Sequence, residues 1–181
     1  MKYCSRCGAE VEQRVPSDDN RERWVCGRCD TVHYQNPLIV VGCVVEHEGQ
    51  ILLCKRAIEP RLGYWTVPAG FMELGESLAE GAARETLEEA CAEVNIGHLF
   101  ASIDVVDAGQ VHLFFTATLK GGYGVGAESL ETKLFAEDEI PWNDLAFRSG
   151  KYALRKYLED RRDHGGENRG VHIHELRRAK L

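Results

Sequence analysis

Apolar positions along the chain fall into blocks with different periods. Residues 38–57, "LIVVGCVVEHEGQILLCKRA", hold two β-branched apolar runs on either side of Glu48-Gly49, a pattern that predicts a hairpin. "HLFASIDVVD" and "QVHLFFTATLK" meet at Ala108-Gly109 and predict a second one. Between the two lies a segment of helical period starting near Leu78. Ala79, Ala83, Leu87 and Ala90 fall on one side, and Glu85, Glu88 and Glu89 on the other, so the apolar side is expected to pack on a sheet. Ser77 followed by Glu80 forms the signature of a capping box at its start. A short strand is expected over residues 132–136, a turn at Pro141, and a second helix from Ser149 to about Arg162. "GGYGVGAES" lacks the lysine of a P-loop and reads as a flexible loop. In the tail, His172 and His174 alternate with Val171 and Ile173, which predicts a short strand with its histidines toward solvent. Strands interleaved with two helices define an α/β fold.

The first 35 residues have a different texture. Cys4-x-x-Cys7 and Cys26-x-x-Cys29 have the spacing of two knuckles presenting four thiolates to one zinc ion. Gly8 and Gly27 stand where the backbone is expected to turn tightly around that ion. A segment this short cannot fold on burial alone, so the zinc is expected to be structural. Cys43, Cys54 and Cys91 are isolated and expected to pack as small apolar side chains. Asn36-Pro37 marks the boundary, giving a zinc ribbon over 1–35, a main domain over 36–163 and a tail over 164–181. Arginines and acids balance within the ribbon, and the whole chain carries a net charge of -7. Both facts argue against nucleic acid and an anionic membrane as partners. No apolar run approaches the ~18 residues of a membrane span. With no apolar leader at the start and cysteines spaced for metal, a cytoplasmic protein is expected.

Three glutamates within one narrow helical sector repel one another unless solvent or a cation intervenes. The upstream sequence favours the cation. Gly70, Glu76, Arg84-Glu85 and Glu88-Glu89 match every charged position of the pattern G-x5-E-x7-R-E-U-x-E-E-x-G-U, and the segment resembles the Nudix box. Thr86 and Ala92 stand where larger aliphatics are usual, and Cys91 replaces the second glycine, which disfavours a left-handed stop at the helix end. The resemblance implies a Nudix α/β/α sandwich with Mg²⁺ or Mn²⁺ as catalytic cofactor. It makes Glu85 and Glu89 the principal ligands with the Gly70 carbonyl, and Glu88 a further ligand or the base acting on water. Glu76 and Arg84 would pair to hold the loop against the helix, although Glu80, four residues before Arg84, competes for it.

The four-cysteine ribbon, "NPLIVVGCVVEHEGQILLCKRAIEPRLGYWTVPAGFMELGES" and "ESLETKLFAEDEIPWNDLAF" together resemble the zinc-ribbon Nudix hydrolases related to plant chloroplast FAD pyrophosphatase. That likeness implies hydrolysis of FAD to FMN and AMP, or of ADP-ribose, a small-molecule nucleotide substrate, and a possible homodimer. NADH pyrophosphatases carry a similar ribbon, but their motif S-Q-P-W-P-F-P is absent after the box. A different class of reading is a nucleotide-sensing regulator whose ribbon is an interaction module. Candidate substrate contacts are Lys55 and Arg56 for phosphate, and Tyr64, Trp65 and Phe71 for stacking on a base. Glu137, Asp138 and Glu139 form a second acidic cluster, with Glu139 an alternative base.

Overall fold

The computed structural model describes residues 1–165 and 167–177. The chain divides into two compact units, Met1–Asn36 and Pro37–Leu181. The first is a three-stranded antiparallel sheet of β1 (Val11–Arg14), β2 (Arg23–Cys26) and β3 (Val32–His33) in that order. Its two cysteine knuckles close alike: the Gly8 amide donates to the Cys4 carbonyl at 2.9 Å, and the Asp30 amide to the Cys26 carbonyl at 3.0 Å. The tight turns therefore fall one residue after the second cysteine of each pair, at Gly8 (φ 73°) and Asp30 (φ 53°). Gly27 is not the turning residue; aspartate tolerates the left-handed region well enough to take that place.

The second unit is built on one mixed sheet. Its strands are β4 (Leu38–His47), β5 (Gln50–Arg56), β6 (Trp65–Thr66), β7 (Ala69–Phe71), β8 (Val94–Val105), β9 (Gln110–Leu119), β10 (Ser129–Phe135) and β11 (His172–Leu176). The order across it is β10-β5-β4-β9-β8-β11, with β6 on β5 and β7 on β4. The β4–β5 hairpin turns where expected, with Glu48 (φ 49°) and Gly49 (φ 81°) both left-handed, which suits the twist of the flanking strands.

Continuous apolar runs arise because both faces of the sheet are covered. Val44, Ile51 and Leu53 join one core with Phe100, Phe114 and Leu154 of α2 (Arg148–His164). Val41, Cys43, Val45, Leu52 and Cys54, at the alternate positions of the same strands, join another with Ala82 and Ala90 of α1 (Leu78–Ala90). This is the α/β/α sandwich expected from the sequence. None of the described helices is long and apolar enough to cross a membrane.

Three local expectations are corrected. On α1 the buried residues are Gly81, Ala82, Glu85, Thr86, Glu89 and Ala90, while Leu87 is half exposed. The helix is rotated so that two of its glutamates face inward. The helix also ends on Cys91 in the left-handed region (φ 47°, ψ 33°), and this cysteine is exposed rather than packed, unlike Cys43 and Cys54. Finally, β11 forms, but His172 bonds Asp160 at 2.8 Å and His174 stacks on Tyr152 with ring centroids 4.1 Å apart. The histidines face α2 and Ile173 faces outward.

"GGYGVGAES" is not a free loop. The Gly124 amide donates to the Ala90 carbonyl at 2.7 Å, and the Gly126 amide to the Glu89 carbonyl at 3.1 Å. Those carbonyls are orphans of the helix C-terminus, so the glycine-rich segment caps the helix from outside. A Cβ on Gly126 would lie 1.8 Å from the Glu88 carbonyl oxygen, which explains the need for glycine there.

Candidate active site

The site forms where α1 crosses β7. Gly42 on β4 lets β7 come close, since a Cβ there would lie 2.5 Å from both the Ala69 Cβ and the Pro68 oxygen. Ala69 and Gly70 are thereby held against α1, and the Ala69 amide donates to the Glu89 carboxylate at 3.1 Å.

The capping box starts α1 as its residues predict, with the Ser77 amide donating to Glu80 at 2.8 Å and the Glu80 amide to the Ser77 hydroxyl at 3.3 Å. Glu80 is thus used at the cap, and Arg84 turns to Glu76. Its Nε and Nη2 donate to the two oxygens of Glu76 at 3.0 and 2.9 Å, a two-pronged pair of the kind guanidinium geometry favours. Arg84 also donates to Glu85 at 2.8 Å, to Glu88 at 3.2 Å and to the Phe71 carbonyl at 3.0 Å. Hydrogen bonds from Arg84 and the Glu73 amide bring Glu76 down to about 2.

Burial pushes Glu89 up to about 7, against the Ala69 amide, and Glu85 and Glu128 push it the same way. Burial likewise raises Glu85, opposed by Arg84, with Glu88 and Glu128 adding to the rise. Two buried carboxylates next to two more is an arrangement short of positive charge. Hard oxygen donors around a position with no side chain, Gly70, fit Mg²⁺ or Mn²⁺. Glu85 and Glu89 could hold such an ion with the Gly70 carbonyl, while Glu88, the most exposed of the three, stands beside them.

Glu128, exposed and outside the box, has no signature of its own in the sequence. It sits in the glycine-rich segment, and its charge acts on both Glu85 and Glu89. By contrast, Glu137 is taken up by Arg161 of α2 at 2.9 Å, within the turn Glu137–Glu139.

The remaining candidates separate. Arg56 is buried, its Nε donating to the Pro60 carbonyl at 2.9 Å and its guanidinium 5.0 Å from the Phe147 ring; its charge lowers Glu89. Lys55 lies 3.8 Å from Glu131 and 5.6 Å from the Trp65 ring. Trp65 is a core residue, edge-on to Phe135 at 4.8 Å, and does not offer a face to a base. Tyr64, under the Arg61 guanidinium at 5.3 Å, and Phe71, 52% exposed, remain open.

In the ribbon, one sulfur from each of Cys4, Cys7, Cys26 and Cys29 lies within 4.8 Å of the others. Cys4 to Cys29 is 3.7 Å and Cys7 to Cys26 is 3.5 Å, close to the ~3.8 Å edge of a tetrahedron with Zn–S bonds of about 2.3 Å. The Arg6 and Arg28 amides donate to Cys4 and Cys26 at 3.4 Å each, and the Thr31 hydroxyl and amide bring Cys29 down to about 6. The donor set and its spacing fit zinc. Among the described residues this is the one group of histidine, cysteine or carboxylate side chains whose donor atoms converge this closely.

Residues 36–157 match the NUDIX domain family and residues 2–35 the Nudix N-terminal zinc ribbon family; the chain belongs to the Nudix hydrolases. A crystal structure of a NUDIX hydrolase from Nitrosomonas europaea superposes with a TM-score of 0.92 at 48% identity, covering 97% of this chain and 99% of that one. An NAD-capped RNA hydrolase of Vibrio vulnificus is 33% identical over 148 residues, 78% of this chain and 53% of its own length. An ADP-ribose pyrophosphatase of Methanocaldococcus jannaschii is 29% identical over 130 residues, 69% of this chain and 75% of its own. The chain thus spans about half the length of the Vibrio relative.

Proposed function

We propose that this protein is a Mg²⁺- or Mn²⁺-dependent pyrophosphatase that cleaves the diphosphate bridge of a dinucleotide-type substrate. The observation that carries this reading is the Glu85 carboxylate packed against Gly70 and the Glu89 carboxylate bonded to the Ala69 amide at 3.1 Å, two buried acids on one side of α1 with Arg84 joining Glu85 to Glu88. When bound, the metal would neutralise the diphosphate and acidify a coordinated water. Glu85, Glu89 and the Gly70 carbonyl would bind it. Glu88 would accept the proton as water oxygen joins one phosphorus and the bridging P–O bond breaks, releasing AMP and the partner phosphate. Arg84 would keep Glu85 and Glu88 oriented and hold the loop through Glu76. The fixed cation of Arg56 would meet the substrate phosphates, and the exposed face of Phe71 would stack on a base.

FAD and ADP-ribose are the first substrates by motif, with ADP-ribose also the substrate in the name of the archaeal relative. The Vibrio relative, named an NAD-capped RNA hydrolase, favours NADH as a second reading and keeps RNA-linked dinucleotides in view as substrates. The test is a product assay with each metal and FAD, ADP-ribose, NADH and an NAD-capped RNA, separating AMP from its partner. Preferential FMN and AMP release from FAD supports the first reading, and preference for NADH or capped RNA the second. Near-normal turnover in both Glu88→Gln and Glu89→Gln would sink the mechanism.

A further inference from the structure

The Ser129 hydroxyl is buried and donates to the Glu89 carbonyl at 2.7 Å, the same oxygen that accepts from the Gly126 amide at 3.1 Å. Residue 129 starts β10 and pairs with Arg56 on β5, while the carbonyl of Glu128 accepts from the Ala57 amide at 2.8 Å. Glu128 is therefore held on one side by the sheet and on the other by the last turn of α1. Cys91, where the family pattern has glycine, leaves that turn in the left-handed region (φ 47°), which a residue with a side chain disfavours. External donors to the Glu89 and Ala90 carbonyls offset that cost. Hydrogen bonds to the orphan carbonyls also fix the direction in which the preceding side chains leave the helix.

We infer that Ser129 is a positioning residue of the metal site: its hydroxyl locks the segment carrying Glu128 onto the helix turn carrying Glu88 and Glu89. The role acts through backbone, since Ser129 itself touches neither metal nor substrate. It rests on the reading of Glu85 and Glu89 as metal ligands. Without the hydroxyl, Glu89 keeps the Gly126 amide alone, and the spacing between Glu128 and the α1 carboxylates loosens.

The test is Mn²⁺ binding, followed by electron paramagnetic resonance, to the full zinc-loaded chain and to Ser129→Ala, Ser129→Thr and Ser149→Ala. Ser149, itself a buried serine, loses its hydroxyl bond with His112 at 2.9 Å on α2. Loss of such a supporting contact weakens metal binding by about tenfold or more, so Ser129→Ala is expected to lose about that much affinity. Ser129→Thr, which keeps the hydroxyl, recovers it, and Ser149→Ala lowers the melting temperature with Mn²⁺ affinity unchanged. Amide exchange at Gly124 and Gly126 in the metal-free protein should quicken in Ser129→Ala alone. Wild-type Mn²⁺ affinity in Ser129→Ala, or an equal loss in Ser149→Ala, overturns the role. If Glu89→Gln also binds Mn²⁺ like the wild type, the carboxylate reading falls and the inference with it.

Discussion

The carboxylate of Glu85 fills the space a side chain at Gly70 would occupy: a Cβ there would lie 2.2–2.4 Å from its oxygens and carbon. Gly70 pairs with Val41 on β4, so the backbone cannot yield easily. Gly70→Ala is expected to displace the Glu85 carboxylate and leave the fold standing. Steady-state turnover should fall by about 100-fold, the scale of misplacing a positioned group, with far-ultraviolet circular dichroism unchanged. Activity within a few-fold of wild type would mean that Glu85 is not a ligand.

Arg84 pairs with three carboxylates, Glu76, Glu85 and Glu88. Lysine supplies the charge but not the planar fork, so Arg84→Lys is no conservative change here. The expected result is loss of the two-pronged Glu76 contact, release of the 71–76 loop and a turnover lower by about 10- to 100-fold. Glu76→Gln should show the smaller effect, since one oxygen still accepts. Equal activity in Arg84→Lys and wild type would assign Arg84 to solvation of the acidic face.

The metal-free site stores repulsion, and the sign of its pH dependence follows. Glu89 titrates at about 7 in the fold against about 4.3 in an unfolded chain. The folded state therefore binds the extra proton, and this group costs stability as pH rises from about 4.3 to about 7. In chelator, wild type minus Glu89→Gln should show melting temperature falling through that window. Mg²⁺ should cancel the slope at neutral pH by binding the ionised form. A difference curve that stays flat would argue against a buried, raised carboxylate.

Much of this was legible in local residues. Ser77 and Glu80 announce the helix start, Glu48-Gly49 the first hairpin, and Gly70, Glu76 and Arg84 the loop-to-helix clamp. What escaped were features set by tertiary packing. Leu87 is more apolar than Glu85, so a side-chain scale turns it inward; the close approach of β7 instead turns Glu85 in. Cys91 in a left-handed turn is disfavoured by its own propensity, and the Gly124 and Gly126 amides and the Ser129 hydroxyl, more than thirty residues on, offset that. The place of Glu128 beside the helix end escaped for the same reason. Trp65 lies beside the box in sequence, yet its β6 position directs it into the core with Phe135.

Zinc should hold the ribbon and not the reaction. The unit of residues 1–36 has little buried apolar core besides Val25, Cys4 and Cys26. Chelating its zinc, or substituting Cys4→Ser, is expected to abolish its structure. Zinc release followed by a colorimetric chelator should go with a change in Trp24 fluorescence, while Mg²⁺-dependent turnover persists. Loss of turnover in step with zinc release would give the ribbon a part in substrate binding.

His112 couples the sheet to α2 and gives the fold a second pH dependence, opposite in sign to that of Glu89. Its Nδ1 lies 2.9 Å from the Ser149 hydroxyl and its Nε2 2.9 Å from the Gln110 side-chain oxygen, and burial holds it down to about 4. An unfolded chain protonates it near 6.5, so the unfolded state binds more protons between about 6.5 and 4. Stability from this group is complete above that window and lost as pH falls through it. With partial solvent screening the loss is of order 1–2 kcal/mol. His112→Gln keeps a neutral partner for Ser149 and removes the titration. Comparing it with wild type under one buffer series cancels the Glu89 contribution. The expected difference is zero at pH 7.5 apart from a constant, and grows in favour of His112→Gln as pH drops to about 4; parallel curves across the range would place His112 in water.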